Sequence, residues 1–166
     1  MITPKKVDFI PYHWYNDCMT DNELFAYTAG IIDGEGYIGL IPHSVTKNSF
    51  SPTIKVASTN IELVAFLKEK FGGHLDKMRD HKNVNQKKSA MWTLKDGKNV
   101  APFLTALLPY LLVKNKQAEV ILSYVKNCSY KALRQKDTTE EIKRRHNYYK
   151  QIRLLNHRGL PLAETK

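Results

Sequence analysis

The stretch from Leu24 to Leu40 constrains this chain more than any other. Its first part reads as a helix. Thr20, Asp21 and Asn22 are good N-cap residues, and Glu23 lies three residues after Thr20, as a capping box requires. Ala26, Gly30 and Gly34 then recur every four residues with Ala29 beside them, so one side of the helix carries almost no side chain. Leu24, Phe25, Ile31 and Ile32 supply bulk on its flanks. A glycine inside a helix costs roughly 1 kcal/mol relative to alanine. A sequence that accepts this penalty twice needs its backbone to come close to something.

The helix gives way at once to Asp33-Gly34-Glu35-Gly36 and then to the strand-like Tyr37-Ile38-Gly39-Leu40-Ile41. Two carboxylates therefore sit at a helix C-terminus, where the macrodipole disfavours negative charge. A cation that holds the charge suits such a place; solvated acids in a glycine-rich turn are the bland alternative.

The rest of the chain alternates hairpins and helices. Residues 36–46 and 50–58 read as paired strands with Pro42 and Pro52 near the tip, Ile38, Leu40, Ile54 and Val56 inward. A helix at about 60–71 follows, with Ser58 or Thr59 as cap, stopped by Gly72-Gly73. The second hairpin goes out over 75–79 and returns over 90–94. Helices follow at about 100–108 and 113–127, with a charged one at 138–155. The order is that of an α+β chain built on two hairpins. Residues 1–20 read as an arm, packed or docked, with Lys5 and Lys6 as a minor-groove alternative. Residues 21–166 read as one domain, with a basic helical region at about 130–158.

Charge narrows the partner. The net charge is +10, and from Lys114 to Arg158 twelve Lys or Arg face four acids. With 42% hydrophobic residues the chain is too apolar to be disordered; nucleic acid is the leading partner and an acidic membrane surface the second. No apolar run approaches the ~20 residues a membrane span needs. Cys18 and Cys128 are isolated, which points to a reduced, intracellular setting.

Thr28-Ala29-Gly30-Ile31-Ile32-Asp33-Gly34-Glu35-Gly36 resembles the LAGLIDADG motif of homing endonucleases, with Thr for the leading Leu, Ile for the second Leu, Gly for the second Ala and Glu for the final Asp. The resemblance implies an αββαββα unit, its four strands forming a saddle-shaped antiparallel sheet, with extra C-terminal helices. It implies a site-specific endodeoxyribonuclease, intron-encoded, found in a prokaryotic cytoplasm or an organelle such as a chloroplast or mitochondrion. A single motif implies a homodimer that cuts a long pseudo-palindromic duplex by metal-dependent phosphodiester hydrolysis. The dimer contact would use Ala26, Ala29, Gly30, Asp33 and Gly34, with Asp33 holding its own helix end or the partner helix. Glu35 falls at the motif's metal-binding acid, with the Gly34 carbonyl as a further ligand for Mg²⁺, and Mn²⁺ or Ca²⁺ able to substitute in binding.

The same resemblance makes Lys114 the basic active-site residue, with Lys116 as competitor and DNA contact. Asn60 is the water-positioning candidate, ahead of Ser58 and Thr59. Base readout would rest on Tyr37, His43, Thr53 and Lys55 of the first hairpin, and on Lys77, Arg79, Ser89, Met91 and Thr93 of the second. Alternation leaves open which face of the strand at 75–79 is used. The rival reading on the same scaffold is a protein that binds without cutting, either an RNA maturase or a DNA-binding regulator.

Overall fold

Thr20 starts the first helix as the capping-box spacing predicts. Its Oγ1 accepts from the Glu23 N–H at 3.4 Å, and Glu23 Oε2 accepts from the Thr20 backbone N–H at 2.8 Å. The Thr20 hydroxyl also donates to that Oε2 at 2.9 Å, and the two bonds donated to the Glu23 carboxylate, backbone N–H first, hold it below its ordinary range. The computed structural model describes residues 19–43, 48–79, 89–128 and 138–157, without the side chains of 77–79. The proposed arm therefore lies outside the described residues, apart from its last two.

The elements run α1 (Asp21–Glu35), β1 (Gly36–Pro42), β2 (Phe50–Ser58), α2 (Ile61–Phe71), β3 (His74–Arg79), β4 (Ser89–Lys95), α3 (Gly97–Leu107), a 3-10 turn at Leu108–Tyr110, α4 (Asn115–Asn127) and α5 (Thr139–Leu155). The expected α+β order is present. Several boundaries differ, among them the start of α3, at Gly97 and not near residue 100. β1 ends at Pro42, not near residue 46. α2 is capped by Asn60, whose Oδ1 accepts from the Leu63 N–H at 3.2 Å. The chain from 112 to 114 is tied down by bonds to the Asp33 side chain, so α4 starts two residues later than expected.

The four strands form one antiparallel sheet in the order β1-β2-β4-β3. Its inner face carries Ile38, Leu40, Ile54, Val56, Ala90, Trp92 and Leu94, all buried. Ala29 and Ile32 of α1, Val64 and Leu67 of α2, Val100, Leu104 and Leu107 of α3, and Ala118 and Ile121 of α4 join them in one core. Trp92 is wholly buried, and its indole N–H is satisfied by the Gly72 carbonyl at 2.7 Å. A buried indole without that acceptor would be costly.

β3 breaks its register with β4 between Asp76 and Arg79. Leu75 pairs with Trp92 and Arg79 with Ser89, so even spacing on one strand meets odd spacing on the other. Simple alternation could not assign this strand to a face, because the bulge changes its phase.

The last helix is anchored from inside. Glu141 and Arg145 are both buried, with Arg145 Nε 3.4 Å from Glu141 Oε1, and Arg144 reaches the other carboxylate oxygen at 3.2 Å. At the far end the Asn156 side chain donates to the Ile38 carbonyl at 2.9 Å, binding α5 to the edge strand β1.

Candidate active site

α1 becomes β1 within a single residue. The Gly36 N–H donates to the Ile32 carbonyl to close the helix, and its backbone is already extended. A Cβ at position 36 would stand 2.6 Å from the Ile32 oxygen, so only glycine permits so abrupt a change. Glu35 is thereby the last helical residue, exposed, with Tyr37 two positions on as the first side chain on the open face of the sheet.

Two side chains organise the ground beneath Glu35. Asp33 accepts three backbone N–H bonds, from Leu112 at 2.7 Å, Val113 at 3.1 Å and Lys114 at 2.9 Å. This corrects its place in the dimer contact. The carboxylate is turned to its own chain, where it holds the 112–114 backbone. Lys114 in turn places its ammonium on the carbonyls of Ile32 at 2.8 Å and Asp33 at 2.5 Å. A cation on the last carbonyls of a helix offsets the negative end of the dipole. The positive charge anticipated at this terminus is thus partly supplied by the protein.

Asp33→Ala removes three bonds to an ionised acceptor and frees the 112–114 backbone together with Lys114. Expected is a loss of about 2–4 kcal/mol in urea unfolding. An unchanged midpoint and slope would show that this loop is held by other means.

Glu35 and Lys114 share a recess of about 380 Å³. Gln117 of α4 and the end of α5, Asn156 and His157, complete it. Those last three were not singled out from the sequence. No local signal marks them, because they reach the recess only through the docking of α4 and α5 against β1. Asn60 does not line this recess, and its side chain is engaged as the cap of α2, so its expected water-positioning role is not carried further.

On α1 the open ridge is narrower than expected. Ala26, Gly30 and Gly34 are exposed, and a Cβ at either glycine would meet nothing within 4 Å. Ala29 is instead 0% exposed, part of the chain's own core, which removes it from the expected dimer contact. Beside the ridge, the loop tied to Asp33 projects Leu112 and Val113, 85% and 69% exposed. Apolar groups this bare next to a side-chain-poor helix form a patch suited to contact with another surface.

The residues expected to read DNA divide. Tyr37 and His43 are exposed, Lys55, Ser89 and Met91 half-buried, and Lys116 exposed on α4. Tyr37 is 38% exposed, and the partial burial of its phenol raises the pKa; Tyr149 adds to the shift and Arg153 opposes it. Thr53 and Thr93 are the corrections. They are 0% and 3% exposed, because they sit on the two central strands with Lys95 and Lys55 as cross-strand neighbours. The Thr53 hydroxyl donates back to the Ser51 carbonyl at 3.1 Å. The side chains of Lys77 and Arg79 lie outside the described residues; Arg79 pairs with Ser89 along the backbone.

No protein-family model and no curated protein sequence matches the chain. Solved structures do. The homing endonuclease I-CvuI, in complex with its Sro1.3 target in 2 mM Ca, matches with a TM-score of 0.68 at 21% identity, over 86% of this chain and 87% of its own. The archaeal intron-encoded homing endonuclease I-Vdi141I, complexed with DNA, gives 0.63 at 15% identity over 87% and 91%. The LAGLIDADG homing endonuclease I-LtrWI, bound to target DNA, gives 0.57 at 16% identity, covering 81% of this chain but 44% of that one. At these identities the likeness establishes the fold, and the fold is that of LAGLIDADG homing endonucleases.

Proposed function

We propose that this chain is a site-specific, divalent-metal-dependent DNA endonuclease that works as a homodimer. The observation that carries the reading is the placement of Glu35. It is an exposed acid at the last position of α1, sharing a recess with Lys114, beside an open ridge of Ala26, Gly30 and Gly34. Among the solved structures of like fold, I-Vdi141I is complexed with DNA and I-LtrWI is bound to target DNA. Net charge of +10 supports the same partner. A match to 87% of I-CvuI but 44% of I-LtrWI supports two copies acting together.

The donor set fits a hard cation. Glu35 offers a carboxylate and Gly34 a backbone carbonyl, the oxygen ligands that Mg²⁺ prefers. Among the described residues no three His, Cys, Asp or Glu side chains converge, so the chain offers no closed cage. That suits an ion which keeps most of its shell as water and phosphate oxygen. When bound, such an ion would polarise the phosphate and acidify a water.

The chain's own groups do the remainder. Lys114, fixed on two carbonyls, supplies positive charge where negative charge develops at phosphorus. Asp33 holds the loop that carries it. The ridge brings two α1 helices together so that a Glu35 from each chain serves one strand of the duplex. Tyr37, His43, Lys55, Ser89 and Met91 face the bases, with Lys116 on the backbone.

The test is a selection of cut sequences from a random duplex library incubated with the protein and Mg²⁺. Recovery of one family of long, nearly palindromic sites cut on both strands is expected. Duplex binding with no strand cut in any metal would overturn the enzyme and leave a DNA-binding protein.

A further inference from the structure

The molecule carries a second charged feature that the proposed reaction leaves unused. On α5, Lys143, His146, Lys150 and Arg153, followed by His157 just beyond the helix, recur at spacings of three, four, three and four, which places them in one stripe. Lys143, Lys150, Arg153 and His157 are exposed and His146 is half-buried. The acids of α5, Glu140 and Glu141, both lie in its first turn, and Glu141 is committed to Arg144 and Arg145. From residue 142 to 157 no acid interrupts the stripe.

Its course is set by packing. At one end the rings of His146 and Tyr149 lie on Phe50, at 5.1 and 4.6 Å, and Phe50 pairs with Pro42, the last residue of β1. At the other, Asn156 donates to the carbonyl of Ile38 near the start of β1, and His157 enters the recess of Glu35 and Lys114. The helix therefore runs beside the edge strand and delivers its stripe to the candidate active site. His146, Lys150, Arg153 and His157 also line a shallow groove of about 490 Å³ along the way. The Arg153 guanidinium lies 5.9 Å from the Tyr149 ring centre, and the same pair stands near Tyr37, on the sheet's open face.

We propose that the α5 stripe is a track for the sugar-phosphate backbone of duplex DNA, continuous with the Glu35 recess and distinct from the base-reading strands. This rests on the DNA-acting reading above. Residues 143 to 157 span about 20 Å, the axial rise of roughly six nucleotides of one strand. Three cations, Lys143, Lys150 and Arg153, with two imidazoles able to hydrogen-bond, along a stretch of α5 that carries no acid suit a row of phosphates, and the arrangement carries no base-specific geometry. The track contributes affinity and orientation, not choice of sequence.

The test is the salt dependence of binding by the full chain to a labelled random-sequence duplex in Ca²⁺, between about 50 and 400 mM KCl. Each phosphate that is no longer neutralised makes the slope of log affinity against log salt shallower by about 0.9. Lys150→Gln with Arg153→Gln is expected to flatten the slope by nearly two and weaken binding about equally on every duplex. Arg153→Lys, which keeps the charge, should keep the slope. Lys68→Gln with Lys70→Gln, the same charge change on the exposed side of α2, should leave it as in the parent. Circular dichroism melting checks that the variants fold. An unchanged slope in the α5 double variant, or an equal fall in both double variants, overturns the track while leaving the nuclease reading standing. A parent chain that binds no duplex overturns both.

Discussion

Glu35→Gln is expected to retain duplex binding within a few-fold while cleavage falls about 1,000-fold or more. The substitution preserves the size of the side chain and removes its charge. An amide is a poor ligand for a hard dication, and loss of charge stabilisation worth several kcal/mol translates at 1.36 kcal/mol per decade. Folding should be untouched, because Glu35 is exposed and the local structure is held by Gly36, Asp33 and Lys114. Plasmid linearisation in Mg²⁺, run beside a binding isotherm in Ca²⁺, separates the two effects. Equal cutting by parent and variant would remove Glu35 from the chemistry.

Gly30→Leu should abolish both self-association and cutting while leaving the isolated chain as stable as before, or up to about 1 kcal/mol more stable. The opposed signs are the informative part. Inside the chain a side chain at position 30 meets nothing within 4 Å, and leucine is the better helix former. Between two copies the same atoms would hold the α1 backbones apart and move the paired Glu35 residues off the duplex. Sedimentation of the protein with its duplex, together with a urea melt, gives both readouts. A variant that still pairs and still cuts would place the contact between copies elsewhere.

The large features of this molecule were legible because they are local. The Thr20–Glu23 box, the four-residue recurrence of small side chains, the strand alternation through Ile38 and Leu40, and the Gly72 stop all act within a few residues. What failed depends on neighbours from elsewhere in the chain. Ala29 looked like a member of the ridge, yet successive helical residues turn by about 100°, which sets it well round the helix from Gly30 and on the side of Ile32. Its methyl fits a core as readily as an interface, and packing decided. Thr53 and Thr93 obey alternation, but alternation gives a face and not a depth, and on central strands short side chains sink between long ones. Asn60 shows the same ambiguity in a polar residue, since an amide able to hold a water is equally able to cap α2.

Within the site, Glu35 and Lys114 carried a motif, whereas Gln117, Asn156 and His157 did not. They are brought in by helices whose positions the local sequence does not encode. Lys114 itself was legible as a residue but not as a geometry. Its ammonium on the carbonyls of Ile32 and Asp33 unites two parts of the chain some eighty positions apart.

The junction at Gly36 has a consequence for how such a protein could diversify. Because helix passes to strand with no intervening loop, the offset between the acid at 35 and the first outward side chain at 37 is written into the covalent chain. Under the proposed function, side chains farther along the sheet could be exchanged to suit a new target, while the position of the cut relative to the site's centre would stay constant, like the zero mark of a ruler whose graduations are redrawn.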